Sequence, residues 1–364
     1  MGEFTTEGME QYGYNYQEYA FDFIAPALQF SLNEDDGVFL GGGFSVTKYG
    51  FRKYPYAQRH RFTSSVATSK LSYNFLYEGE FTHLIGNTDL LIDGLIQSPN
   101  FQRNFFGLGN ETVKVGDDDF HDIRQDVYSL NPILRYRIFA QSEFQFGPTF
   151  EVVDVRDTGD KFASTPQAGL EPDDFSTFKF LGVKSSYTYS NVTDPNYPRN
   201  GFRVTAGGHF THNLDDNEPL FKLDLTTSFY HTIKNTDITF ATRVGGAKNF
   251  GNFRFFEANT LGDTGPFFQS NTGVFDQGNF RGVLRDRFSG KTIFFQNTEI
   301  RSKLLEINSY FIPGTLGILG LFDHGRVWIP NENSNTWHYA VGGGLWYNFF
   351  DRVVVSVTYG NSDV

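Results

Sequence analysis

No cysteine occurs in the sequence. Disulfides and thiolate metal sites are therefore ruled out, while the cellular compartment is left open. No apolar run approaches the roughly 18 residues that a membrane-crossing helix needs, and mean hydropathy is negative. A membrane is not thereby excluded, because barrel strands carry apolar residues only at alternate positions. Basic excess is missing too: the net charge is −12. Nucleic acid is not expected as a partner, since counterion release requires a basic surface. Gly-x-Ser-x-Gly, His-Glu-x-x-His and phosphate-loop motifs are all absent. The eight histidines (60, 83, 121, 209, 212, 231, 324, 338) are scattered. His209 and His212 fall on opposite faces of one strand. His121 lies among Asp117, Asp118, Asp119 and Asp122, where a mobile acidic loop is the better reading than a metal site. No metal, no cofactor and no enzyme activity are expected.

What is present is aromatic and glycine-rich: 42 phenylalanines, 19 tyrosines and 38 glycines in 364 residues. That composition favours strand over helix, and no linker divides the chain. Alternation of apolar and polar residues recurs almost throughout. Over 71–81 one face carries Leu71, Tyr73, Phe75, Tyr77 and Phe81, and the other Ser72, Asn74, Glu78 and Glu80, broken only by Leu76. Over 221–230, Phe221, Leu223, Leu225 and Phe229 oppose Lys222, Asp224 and Ser228. Fifteen such segments are expected, starting near 19, 37, 60, 71, 88, 125, 142, 176, 200, 220, 236, 292, 315, 337 and 352.

The apolar faces are large and the opposite faces often charged. Aromatics also cluster at segment ends, as in "YNFF" (347–350), "NFFG" (104–107) and "TYSN" (188–191), which read as interfacial girdles. These features describe an all-β protein, a transmembrane antiparallel β-barrel with a polar lumen. The acid clusters "NEDDG" (33–37), "GDDDFHD" (116–122) and "LDDNEP" (214–219) read as solvated loop tips. "GLGNET" (107–112) and the triple glycines read as strand kinks and aromatic packing. The first residues lack the cationic region of a signal peptide; residues 1–16 are expected to be a tag-like or flexible segment, and 17–364 the barrel. The longest excursion, near 250–291, is of a length that is usually functional.

Inside that excursion, "NFRGVLRDRF" (279–288) resembles the Val-Arg-Gly-Phe/Tyr signature in the sixth extracellular loop of the BamA, TamA and FhaC superfamily. Phe280, Arg281 and Gly282 occupy the motif; Phe280 stands where an aliphatic residue is usual, and Val283 where an aromatic is usual. "QNTEIRSKL" (296–304), "GLFDHGRVW" (320–328) and "HYAVGGGLWYNFF" (338–350) resemble the strands that follow the loop. "DPNYPRNGFRV" (194–204) resembles the superfamily's tight periplasmic turn, with Pro198 and Gly201 placed as there. The match in order and spacing covers about half the chain, residues 190–364.

The resemblance implies a barrel of about sixteen strands, of which fifteen are visible, so that either the closing strand is missing or the count is one short, with no POTRA domain in this chain. It also implies that the 250–291 loop folds into the lumen. A cation there must be paired, and arginine can grip a carboxylate bidentately. The expected luminal partners of Arg281 are Asp323, with Glu299 and Arg301 on the same face of their strand. Arg285 and Arg287 are expected to make wall or loop contacts.

The implied activity is insertion or export of polypeptides at the bacterial outer membrane. The expected partners are membrane lipid and lipopolysaccharide, unfolded outer-membrane or secreted polypeptides, and periplasmic domains or accessory subunits. The alternative is a passive porin-like solute channel.

Overall fold

The computed structural model describes residues 21–363 except 34–36, 52, 54, 68–71, 195–196, 263–277 and 351–352. The expected boundary at residue 16 and most of the "NEDDG" cluster lie outside the described residues.

Among the described residues, fifteen strands form one antiparallel sheet. In order they are β1 (Phe23–Asn33), β2 (Gly37–Lys48), β3 (Gln58–Ala67), β4 (Tyr73–Ile85), β5 (Thr88–Asn104), β6 (Asp122–Phe139), β7 (Ser142–Arg156), β8 (Thr177–Ser190), β9 (Gly201–Asn213), β10 (Glu218–Thr232) and β11 (Ile238–Gly251), then β14 (Thr292–Ile307), β15 (Gly314–Trp328), β16 (His338–Phe349) and β17 (Val353–Ser362). Between β11 and β14, β12 (Asn259–Leu261) and β13 (Phe288–Gly290) pair as a separate two-stranded ribbon. Each expected strand is present; the largest offset is at the first, expected near 19 and beginning at Phe23. Neighbours in sequence are neighbours in the sheet, and β1 and β17 share no ladder among the described residues.

Alternation places the two faces as the residue pattern dictates. Leu223, Leu225 and Phe229 of β10 are exposed on the outside, as are Phe144, Phe146 and Phe150 of β7 and Tyr339, Val341 and Leu345 of β16. An outer surface of that chemistry is stable against hydrocarbon, where in-sheet hydrogen bonds satisfy the backbone. The inner face carries Asp89, Asn131, Asn297 and Asp323, all buried.

The two ends of the sheet differ. At one, the connections are short, as at 86–87, 140–141 and 233–237; at the other lie 105–121, 157–176, 252–291 and 329–337. The long connections build an apolar cap. Phe105, Phe162, Phe255 and Phe256 join Val153, Val155, Phe178 and Phe180 from the inner faces of β7 and β8 in one buried cluster. Phe105 and Phe106 of "NFFG" are therefore not girdle residues: each is only 2% exposed. Each buried ring contributes about 1.5–3 kcal/mol, which favours the cap over a solvated aromatic rim.

"GLGNET" likewise is not a strand kink but part of the loop that spans the mouth. The Asn110 amide donates to Ser334 Oγ (3.0 Å) and to the Thr336 carbonyl (3.0 Å), and its backbone N–H donates to Glu332. A side chain at Gly109, at φ +128°, would strike the Glu332 carboxylate. The "LDDNEP" segment is exposed as expected.

The face assignment predicts unequal responses at adjacent positions of β10. Leu225→Arg is expected to lower folding stability in lipid vesicles by about 2–4 kcal/mol. Asp224→Asn, a nearly isosteric change on the inner face, is expected to cost less than Leu225→Arg. Urea titrations of folding into vesicles measure both.

Candidate functional site

The inner faces of β11, β14, β15 and β16 form a regular array because the ladders are in continuous register. One row reads Arg243, Asn297, Asp323, Ala340; the next reads Ala241, Glu299, Leu321, Gly342; the next reads Thr239, Arg301, Leu319, Gly344. The 252–291 loop descends onto these rows. Phe280 is fully buried and packs with Leu261, Phe288, Phe295, Val327 and Ala340. The pocket that takes this aromatic combines two rings, Phe288 and Phe295, with aliphatic side chains.

Arg281 follows directly. Its Nε donates to Asp323 Oδ2 (2.8 Å), its Nη2 to Asp323 Oδ1 (2.6 Å), and its backbone N–H to Asp323 Oδ2 (3.0 Å). Nη1 donates to Glu299. The two carboxylates occupy the fork from two sides, geometry that a lysine ammonium cannot reproduce. Asp323 is fully buried, while the Arg281 side chain is 22% exposed. Arg301 does not touch Arg281; its Nε donates to the other oxygen of Glu299 (2.7 Å). Glu299 is thus shared between two cations.

Gly282 sits at φ +80°, and a side chain there would press on the Gly360 backbone of β17. The motif glycine therefore brings the loop against that strand.

Arg243 belongs to the same site and was missed from sequence. Its Nε and Nη2 donate to Asn297 Oδ1 (2.9 and 2.7 Å), and Nη2 also donates to the Gly278 carbonyl (2.5 Å). Asn297 Nδ2 in turn donates to the Asn279 carbonyl (2.9 Å). The only sequence signal was an arginine at an inward position of a strand beside the loop. Arg285 and Arg287 contact the 105–121 segment and the end of β5: Arg285 donates to the Gln102 carbonyl (3.2 Å), and Arg287 to Thr112 Oγ1 (3.0 Å) and O (2.8 Å).

Pro198 and Gly201 lie in and beside the 191–200 connection, whose arms stay paired through the Asn191 N–H to the Phe202 carbonyl (3.1 Å) and the Thr193 N–H to the Asn200 carbonyl (3.0 Å). Gly201 is at φ +108°, and a side chain there would collide with the Asn191 carbonyl. His121 is not part of a mobile loop. It is fully buried, stacks on Phe106 (4.2 Å between centroids), and its ring nitrogens face the Phe105 and Val115 carbonyls. Among the described residues no cluster of three or more acidic or histidine side chains is arranged for a metal.

These features define a transmembrane β-barrel with a capped mouth and a cationic loop pinned inside the lumen. The fold is shared with two solved barrel structures. The chain is similar to the crystal structure of BamA from Haemophilus ducreyi lacking POTRA domains 1–3, with a TM-score of 0.67 and 12% identity. That match covers 94% of this chain and 67% of that one. It is also similar to CdiB from Acinetobacter baumannii, with a TM-score of 0.50 and 11% identity over 94% of this chain and 60% of that one. The chain thus spans about two thirds or less of these longer proteins. No family model and no curated protein matches at the level of sequence.

Three outcomes are expected from this geometry. Arg281→Ala leaves Asp323 buried without its main partner and is expected to cost about 3–5 kcal/mol. Arg281→Lys recovers only part of that loss, and Arg281→Ala combined with Asp323→Ala costs less than the sum of the single changes. A double-mutant cycle in vesicles measures this.

Burial lowers the His121 pKa, so the neutral ring is the folded form. Its stabilisation is full above about pH 6.5, the ordinary imidazole value, and is lost as pH falls through the depressed folded value. Protease cleavage within 105–121 is expected to rise on acidification, and less so in His121→Gln.

Proposed function

We propose that this chain is the barrel of an outer-membrane insertase or translocator that assists insertion or export of polypeptides. The observation that carries this reading is the Arg281 fork between Asp323 and Glu299, within a fold shared with BamA and CdiB. A loop held this way occupies the lumen and braces the wall that runs to β17. A polypeptide handled by such a barrel is proposed to meet exposed strand edges, where its backbone can add to the sheet. In this reading the short turns face the periplasm and the capped end faces outside. Membrane lipid, lipopolysaccharide, unfolded outer-membrane or secreted polypeptides, and periplasmic domains or accessory subunits are the proposed partners.

The porin-like alternative requires a lumen open at both mouths with a constriction lined by charge. The buried phenylalanine cluster over the long-loop end and the Asn110 bridge across it weigh against that.

The test is an assembly assay. An unfolded outer-membrane barrel protein is added to vesicles with and without this protein, and its folding is followed by heat-modifiable migration. Faster folding with the protein present, reduced by Arg281→Ala, is expected. No acceleration, together with a large steady conductance in planar bilayers, would establish the channel instead.

A further inference from the structure

On the outer face of β11, β14 and β15, two cations stand at the long-loop end of an otherwise apolar stretch. Asp323 and Val327 of β15 point inward, where they meet Arg281 and Phe280. Alternation therefore turns Phe322, Arg326 and Trp328 outward. Ala247 of β11 belongs to the same luminal cluster, so Lys248 also points out. The ladders set Lys248 beside Thr292, Thr292 beside Trp328, and Phe294 beside Arg326. Lys248 and Arg326 are thus two strands and one row apart, roughly 12 Å between backbones. Two long side chains can meet across that gap.

Both cations sit against aromatic rings. Lys248 Nζ lies 5.2 Å from the Phe250 centroid. The Arg326 guanidinium carbon lies 4.6 Å from the Trp328 centroid and 5.5 Å from that of Trp337. The two indoles meet edge to face at 6.1 Å, and Phe294 meets Trp337 in the same way at 5.7 Å. Arg326 is only 6% exposed behind these rings. Its Nη2 donates to the Ser334 carbonyl (2.7 Å), while its Nε is buried without a hydrogen-bond partner. The Glu111 carboxylate feels the Arg326 charge but is taken by the Ser334 and Thr336 hydroxyls. Among the described residues neither Lys248 nor Arg326 forms an ion pair. Other outward cations at this rim do: Lys179 pairs with Asp215 (3.6 Å) and Arg156 with Asp126 (2.5 Å).

A cation left unpaired at the edge of the hydrocarbon is costly, and an anion supplied by the membrane removes that cost. Tryptophans on the outer face mark the depth at which headgroups lie. We propose that Lys248, Arg326, Trp328 and Trp337 form a headgroup site for an anionic phospholipid. The phosphate contacts the exposed Lys248 and is held by the fixed Arg326 charge behind the indoles. The acyl chains run down the wall over Phe322 and Val341, both exposed. One such lipid satisfies the charges and covers the apolar stretch together, which a soluble anion cannot do. The net charge of −12 opposes any general attraction of anionic lipid, so its retention has to be local. This site deepens the membrane-lipid partner named above and rests on the same outward face meeting the bilayer.

The three tryptophans make a direct test possible. Trp328 and Trp337 are exposed at the patch, while Trp346 is buried with Leu319 and Leu321. Fluorescence is recorded from folded protein in phosphatidylcholine vesicles, with heat-modifiable migration confirming the folded barrel. The vesicles carry equal minor fractions of chain-brominated phosphatidylglycerol or chain-brominated phosphatidylcholine. Bromine quenches on contact, so the two quenching curves give the relative association of the anionic lipid at the patch. A preference of about fivefold per cation is expected. Lys248→Gln, at an exposed position, is expected to lower it about fivefold. Lys179→Gln, at a cation already paired with Asp215, is expected to leave it unchanged.

Equal quenching by the two lipids overturns the site, as does a preference that survives in Lys248→Gln and in Arg326→Gln. An equal loss in Lys179→Gln also overturns it, because the rim as a whole would then attract the lipid. Loss of the preference on adding inorganic phosphate at matched ionic strength assigns the cations to a soluble anion instead. If Arg326→Gln does not fold, Lys248→Gln is read alone by the same outcomes. Quenching by neither lipid overturns the membrane-facing wall itself, a result distinct from quenching without preference.

Discussion

A guanidinium lowered into the interior of a barrel has to find carboxylates there, and this requirement organises the molecule. Arg281 satisfies it with the buried Asp323 and the shared Glu299. Its backbone N–H also donates to Asp323, so the loop is positioned by main chain and side chain together. Phe280 beside it enters an apolar pocket. One tripeptide thus supplies an apolar anchor, a paired charge, and a glycine that lets the chain pass Gly360. Breaking any one of these leaves a void, an unpaired charge or a clash within a few ångströms of the others.

The same economy shapes the rest of the lumen. Polar inner faces need partners, supplied in part within the sheet, as by Arg135 to Asp89, and in part by chain that has left it. Arg243 is satisfied by the Gly278 carbonyl and by Asn297, which itself donates to the Asn279 carbonyl. Over the long-loop end the inner faces of β7 and β8 turn apolar and are covered by Phe105, Phe162, Phe255 and Phe256. Toward the other end Tyr197 packs against Trp346. The interior is therefore layered from an apolar cap, through an ionic middle, to an aromatic contact near the short turns.

The strands were legible in the residues because alternation is a local property. A ten-residue segment with aromatics on one face and amides and acids on the other has one way to stand between lipid and an aqueous lumen. The pairing of Arg281 with Asp323 and Glu299 was legible only through a resemblance, since 42 residues separate Arg281 from Asp323. Arg243 gave no usable signal: one inward arginine looks like any other until the loop beside it is placed. The girdle reading of "NFFG" failed for a related reason. An aromatic pair at a strand end has the same local pattern whether it meets lipid headgroups or folds back over the mouth.

By itself, then, the sequence determined the strands, their inner and outer faces and the order in which they pair, because these follow from period, turn chemistry and the cost of unpaired backbone in lipid. Tertiary structure alone decided which arginine meets which carboxylate, that Phe105 and Phe106 close the mouth, and that Tyr197 reaches a tryptophan five strands away. Those contacts join residues far apart in the chain, and their energies depend on depth, register and what covers them, none of which is written in a short window of residues.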